Sequence, residues 1–157
     1  MTSIRLLALD IDGTILDSHG NVPGANRDAI VRAIDAGVEV ALATGRRYDF
    51  ARSIFEQLPS PLTLILSNGA IVKTREGETL IRSLLPREVA RAVLASVPRH
   101  RTSAAVVFDR PRAGQVVFEE IDWDHPRHGA FFAANRPFLH EVSPLEACLT
   151  EDPIQVM

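Results

Sequence analysis

The sequence predicts an α/β fold whose first half is a parallel sheet with crossover helices and whose second half turns to an α+β organisation. Three observations predict it. Apolar runs of strand length alternate with helical segments up to Leu66; each such run ends in a polar, glycine-containing motif; and beyond Lys73 the strand-like runs become more polar and pair across turns.

The first run, Ile4 to Leu9, is continuous apart from Arg5 and reads as a strand buried on both faces of a parallel sheet. Pro23 to Ala36 places Ala25, Ala29, Ile30, Ala33 and Ile34 at helical spacing and stops at Gly37. Val38 to Ala43 is a second strand, Arg47 to Leu58 a second helix closed by Pro59, and Leu62 to Leu66 a third strand. Strand, helix, strand, helix, strand implies right-handed parallel connections, with ligands beyond the carboxyl ends of the strands. The motifs DIDGT (10–14), ATGR (43–46) and SNGA (67–70) then gather at one edge of the sheet.

From Lys73 the segment IVKTREGETLIRS reads as a hairpin around Glu76 and Gly77. Pro86 opens a helix carrying Val89, Ala92, Val93 and Leu94, and SAAVVFDR pairs with QVVFEE across PRAG. The boundary between the halves is expected near Ser83, giving units 1–82 and 83–157.

Asp10 and Asp12 carry the strongest chemical signal. At i, i+2 on an extended strand the two side chains point the same way about 6 to 7 Å apart, a repulsion of about 2 to 3 kcal/mol at an effective dielectric near 20. Two compensations suit them. A divalent cation such as magnesium takes one or two carboxylates together with waters and phosphate oxygens. Alternatively one aspartate is ionised, competent to attack phosphorus, while the other is protonated and serves the leaving oxygen. Gly13 allows the sharp turn, and Thr14 adds a hydroxyl and an N–H to a phosphate cradle.

The other two motifs read two ways. Thr44 is either a helix N-cap or a phosphate ligand; Arg46 and Arg47 are either solvated or paired with a substrate anion. Asn68-Gly69 is a hairpin turn by its chemistry, with Asn68 free to offer its amide to phosphate.

These three motifs, in this order and spacing, resemble the haloacid dehalogenase superfamily, specifically Cof-type phosphatases with a large α/β cap. The resemblance implies a Rossmann-like core, here incomplete, followed by the first part of an α+β cap. It implies Asp10 as nucleophile and Asp12 as general acid/base, which also gives Mg2+ a main-chain carbonyl. Asp10 and Asp12 are thus the metal residues, and Thr14, Thr44, Gly45, Arg46 and Asn68 the phosphate-binding set. The expected activity is magnesium-dependent hydrolysis of phosphorylated small molecules, such as sugar phosphates, through an aspartyl-phosphate. A phosphomannomutase-like phosphotransferase and a non-catalytic phosphate- or metal-binding module are the alternatives.

The family's later phosphate-binding lysine and GDxxND-like acidic motif have no counterpart here. Lys73, the sole lysine, precedes the cap, and Glu151-Asp152 lies in cap sequence. The expectation is a chain cut inside its cap, inactive alone, lacking the C-terminal half of the core and leaving its first strand an unpaired, association-prone edge.

Composition narrows the class further. With 46% hydrophobic and 24% charged residues and a net charge of -3, the chain has material for a core and no call for nucleic acid or an anionic membrane as partner. The single cysteine, Cys148, cannot form an internal disulfide, and the N-terminus lacks a secretory pattern, so the cytoplasm is expected. The cluster Asp122, Asp124, His125 and His128 reads as a solvated loop, because Pro126 disrupts helical presentation. Trp123, Phe131, Phe132 and Phe138 read as core in preference to a substrate-facing cap surface, and Cys148 as a small buried hydrophobe.

Overall fold

The computed structural model describes residues 4–157, which form two compact units meeting between Ser83 and Leu84. In the first, β1 (Leu6–Asp10), β2 (Glu39–Ala43) and β3 (Thr63–Leu66) are parallel neighbours, and β4 (Ile71–Thr74) and β5 (Thr79–Arg82) extend the sheet antiparallel in the order β1-β2-β3-β4-β5. The connecting helices are α1 (Gly24–Asp35) and α2 (Tyr48–Phe55). Tight turns carry the chain on from α2 through Leu58, where a longer helix was expected.

Both crossovers step the same way across the sheet, so right-handedness puts α1 and α2 on one face. That face holds Val40, Leu42, Leu64, Leu66 and Ile71, all at most 2% exposed, together with Ile54 and Phe55 from α2. Burying each such side chain contributes about 1.5 to 3 kcal/mol. The alternate residues in register, Leu6, Ala8, Asp10, Ala43, Ile65, Val72 and Ile81, form the opposite face, where Leu6 is 56% and Ile81 58% exposed.

This corrects one expectation and supports another. The first strand is not buried on both faces: its residues alternate between exposed and half-buried. Among the described residues it is the sheet edge, and its strand partner is β2. An apolar run looks doubly buried in sequence because burial of its second face depends on polypeptide that no local pattern encodes.

The second unit has α3 (Arg87–Ser96) and a four-stranded sheet of β6 (Ala105–Val107), β7 (Val116–Phe118), β8 (Leu139–Glu141) and β9 (Gln155–Val156), ordered β8-β7-β6-β9. Ala90 and Leu94 of α3 pack with Val106, Phe108, Val117, Leu145, Cys148 and Leu149. Cys148 is buried as expected, and desolvation raises its thiol pKa. Beside this core, Arg101 donates from Nε to Glu119 at 3.0 Å and from both terminal nitrogens to Glu146. The expected aromatic core is not found. Phe132 on α4 (Gly129–Asn135) meets Phe118, Trp123 and Phe131 edge-on, but α4 buries no residue and Phe131 is half exposed.

Two outcomes follow for solution behaviour. The apolar edge and face predict concentration-dependent association, so in sedimentation velocity the doubly substituted Leu6→Lys/Ile81→Lys chain remains monomeric at concentrations where the parent associates. The Arg101 guanidinium holds the Glu146 carboxyl at about 2, down from an ordinary 4.5. A carboxyl lowered in the folded state stabilises it when ionised, so this contribution is complete above about 4.5 and is lost as pH falls towards about 2. Glu146→Gln is expected to lower the melting temperature at neutral pH and to flatten its fall across that window, as read by circular dichroism.

Candidate active site

Asp10 ends β1 in register with Ala43 of β2, which pairs with Ile65 of β3. The strand-end loops meet there. Asp10, Ala43, Thr44, Gly45, Ile65, Asn68 and Gly69 line one open depression, so each of the three motifs contributes to it. The sequence reading named Asp10, Thr44, Gly45 and Asn68; it missed Ala43, Ile65 and Gly69, whose signal was their place in the same motifs and at the end of the third strand.

Main-chain hydrogen bonds join the second and third loops. Thr44 N–H donates to Ile65 C=O at 2.9 Å, Asn68 N–H to Thr44 C=O at 3.2 Å, and Ser67 N–H to Arg46 C=O at 3.0 Å. The backbone at Ser67, Asn68 and Gly69 is left-handed throughout, with φ of 50°, 58° and 92°. Gly69 adopts this conformation freely, while Ser67 and Asn68 carry strain on the order of 1 kcal/mol each that the surrounding bonds must offset. SNGA is therefore both the hairpin turn between β3 and β4 and a wall of the depression.

Gly45 has a steric reason to be glycine. A Cβ there would lie 2.9 Å from Asn68 Oδ1, so the asparagine amide sits where any larger residue would intrude. Thr44 is not a helix cap: its Oγ1 accepts the Arg46 N–H at 3.1 Å, and α2 begins after Arg47 without a side-chain cap.

The two aspartates separate. After Asp10 the chain leaves the strand and turns at Gly13, whose φ is +76°. Thr14 Oγ1 donates to Asp10 Oδ2 at 3.1 Å. Asp12 turns to the second loop, where Arg46 Nε donates to its Oδ2 at 2.9 Å and Arg46 Nη2 to its Oδ1 at 2.7 Å. This bidentate pair lowers the Asp12 carboxyl below its ordinary value, chiefly through the hydrogen bonds, and raises the guanidinium. The charge repulsion noted in the sequence is thus relieved by a guanidinium, a third compensation that spacing alone did not suggest.

The remaining candidates have other partners. Arg47 lies over the Phe50 ring at 4.3 Å, and burial lowers its guanidinium to about 10. Lys73 is buried on the helix-covered face and donates to Thr79 Oγ1 at 2.7 Å. Asp152 accepts the Arg87 N–H at 3.0 Å, and Glu151 pairs with Arg110. His125 Nδ1 accepts the N–H groups of Arg127 and His128 at 3.1 Å, which makes it a turn-forming group. Among the described residues no three acidic, imidazole or thiol groups converge on one point, and no helix is long and apolar enough to cross a membrane.

With this geometry the family can be stated. The haloacid dehalogenase-like hydrolase model matches residues 7–125, and the chain belongs to that family. Over 90 residues it is 31% identical to the 5-amino-6-(5-phospho-D-ribitylamino)uracil phosphatase YwtE of Bacillus subtilis, covering 57% of this chain and 31% of that one. It is 36% identical over 90 residues to the HMP-PP phosphatase of Cronobacter sakazakii, covering 57% and 33%. A Bacteroides thetaiotaomicron protein among the phosphatases of the haloalkanoate (HAD) superfamily superposes with a TM-score of 0.73 at 21% identity, covering 98% of this chain and 55% of its own. The chain therefore spans about a third of the length of the curated relatives it matches and just over half of that structure.

The contact between Gly45 and Asn68 is measurable. The clashing atom is the far end of an exposed side chain that can rotate away, so Gly45→Ala is expected to cost about 1 kcal/mol or less, and to cost almost nothing in an Asn68→Ala background. Chemical denaturation of the four chains of this cycle reads the coupling.

Proposed function

We propose that this chain carries the nucleophilic half of a magnesium-dependent phosphatase acting on phosphorylated small molecules. The observation that supports it most is Asp10 at the rim of β1, sharing one open depression with Thr44 and Asn68. Asp10 attacks phosphorus through a carboxylate oxygen, the ester P–O bond breaks, and Asp12 supplies the proton to the departing oxygen. Water then attacks the aspartyl-phosphate, giving its proton to Asp12 and releasing inorganic phosphate. The Thr44 hydroxyl and the Asn68 amide orient the phosphoryl group, Arg46 pairs with its charge, and Gly45 leaves room for Asn68. Thr14 holds Asp10 through its hydroxyl.

The donor chemistry fits Mg2+: the Asp10 carboxylate and the Asp12 main-chain carbonyl are hard oxygen donors. This cation uses few protein ligands and keeps several waters. The Asp12 carboxylate is engaged by Arg46, so the carbonyl is the better candidate of its two groups. When bound, the cation offsets negative charge on the phosphoryl oxygens.

The curated relatives are phosphatases, and the name of one gives a phosphorylated ribitylaminouracil as its substrate. A phosphorylated small molecule is the corresponding substrate class here, with residues 83–157 as the first part of a cap and the cytoplasm as the site of action. Full activity on this reading requires the polypeptide that completes the core beside β1.

The test is release of inorganic phosphate from a panel of phosphorylated small molecules in magnesium. The 157-residue chain is assayed alone and with the C-terminal core segment of the B. subtilis relative added. Turnover is expected to be weak alone and to rise on addition; Asp10→Asn abolishes it and Asp12→Asn lowers it about 100-fold or more. Near-normal turnover in Asp10→Asn would sink the assignment, and an isomerised product retaining its phosphate would identify a phosphotransferase.

A further inference from the structure

The depression where phosphate is proposed to bind has the wrong charge for an anion. Among the described residues its lining carries the Asp10 carboxylate and otherwise neutral groups, with no cationic side chain. The next residue along the chain from Gly45 is Arg46, one Cα step of about 3.8 Å away, and its guanidinium is committed to both oxygens of Asp12. The general acid/base and the nearest cation in sequence therefore occupy each other.

Arg46 is built to let go. Its main chain is fixed at both ends, N–H to Thr44 Oγ1 and C=O to Ser67 N–H, which leaves the side chain as the part free to move. The ion pair is open to water, with the arginine side chain 39% and the aspartate 55% exposed. Water screens the charges of such an exposed pair, so it holds more weakly than the same bidentate pair would if buried. The remaining guanidinium contact, Nη1 to Phe50 C=O, is long at 3.4 Å. A phosphate dianion offers the same planar fork a second bidentate partner with twice the charge.

Resting on the reading above, we propose that Arg46 is a phosphate-responsive latch: without ligand it holds the Asp12 carboxylate, and a phosphate group arriving beside Thr44 and Asn68 takes the guanidinium and frees Asp12. Asp12 is then released to act only when a phosphate is present. Arg46 is in this sense a positioning residue for Asp12 as well as a ligand for the anion, and the exchange couples occupancy of the depression to the availability of the acid.

Inorganic phosphate titrated into the isotopically labelled 157-residue chain tests this by nuclear magnetic resonance, with no need for turnover. The Arg46 Nε–H resonance is expected to move on the same saturation curve as the Thr44 and Asn68 amides. Asp12→Asn is expected to tighten phosphate binding about fivefold or more, because the guanidinium no longer has to leave a carboxylate to reach the anion. In an Arg46→Gln background that gain disappears, whereas simple removal of a repelling charge would preserve it. Arg46→Lys retains part of the affinity. Thr44 and Asn68 responding while Arg46 Nε–H stays still, or an Asp12→Asn gain that survives Arg46→Gln, overturns the latch and leaves the site reading intact. No response at Thr44 or Asn68 overturns both.

Discussion

The site depends on three main-chain hydrogen bonds that run past the ends of β2 and β3. Through them Thr44, Arg46, Ser67 and Asn68 belong to one laced segment, although 20 or more residues separate the two loops. The bonds extend the parallel ladder into what would otherwise be two mobile turns. They also explain how the chain sustains consecutive left-handed residues at Ser67, Asn68 and Gly69: donors and acceptors on both sides over-determine a conformation that a free loop would relax. Side-chain placement follows, since the Asn68 amide is aimed at Gly45 by the backbone beneath it.

The first loop is held differently. β1 has β2 on one side and, among the described residues, no strand on the other, and Asp10 is positioned by its register with Ala43 and by the Thr14 hydroxyl. In sheets of this kind ligands bind where the strand order reverses. A parallel strand added beyond β1 would reverse the order at Asp10, and its right-handed crossover would lay a helix on the apolar face that α1 and α2 leave open. The exposed residue Leu6 and the proposed nucleophile are thus consequences of one topological position.

Much of this was legible in the sequence because its signals are local. Gly37, Pro59 and Pro86 punctuate α1, α2 and α3 within a few residues of their observed ends, and the strand-end motifs converge because parallel connectivity brings strand ends together. What escaped depends on distant partners. The three residues of β8 give too little alternation to announce a strand, and it forms by pairing with β7. Exposure of β1 is set by what lies beside the sheet and not by its own apolar run. The pairing of Arg46 with Asp12 spans 34 positions, so neither residue's neighbours signal it. The aromatic residues near α4 were misplaced for a related reason: hydrophobicity says that they seek contacts, and they find them in one another at the surface.

Charge closes the account of the aspartate pair. With Arg46 on Asp12, Asp10 is the charge left at the depression, and a dianion about 4 Å from it would meet repulsion on the order of 8 kcal/mol at an effective dielectric near 20. One guanidinium at a similar distance returns a comparable attraction to the dianion, which suffices for entry but not for the reaction. In the proposed transfer, with Asp12 carrying its proton, Asp10 and the phosphate together bring three negative charges against one from Arg46. The remaining two equal the charge of one divalent cation. An arginine that exchanges partners and a magnesium ion are therefore complementary requirements of the same site: the first brings the anion to Asp10, and the second makes attack by one anion upon another feasible.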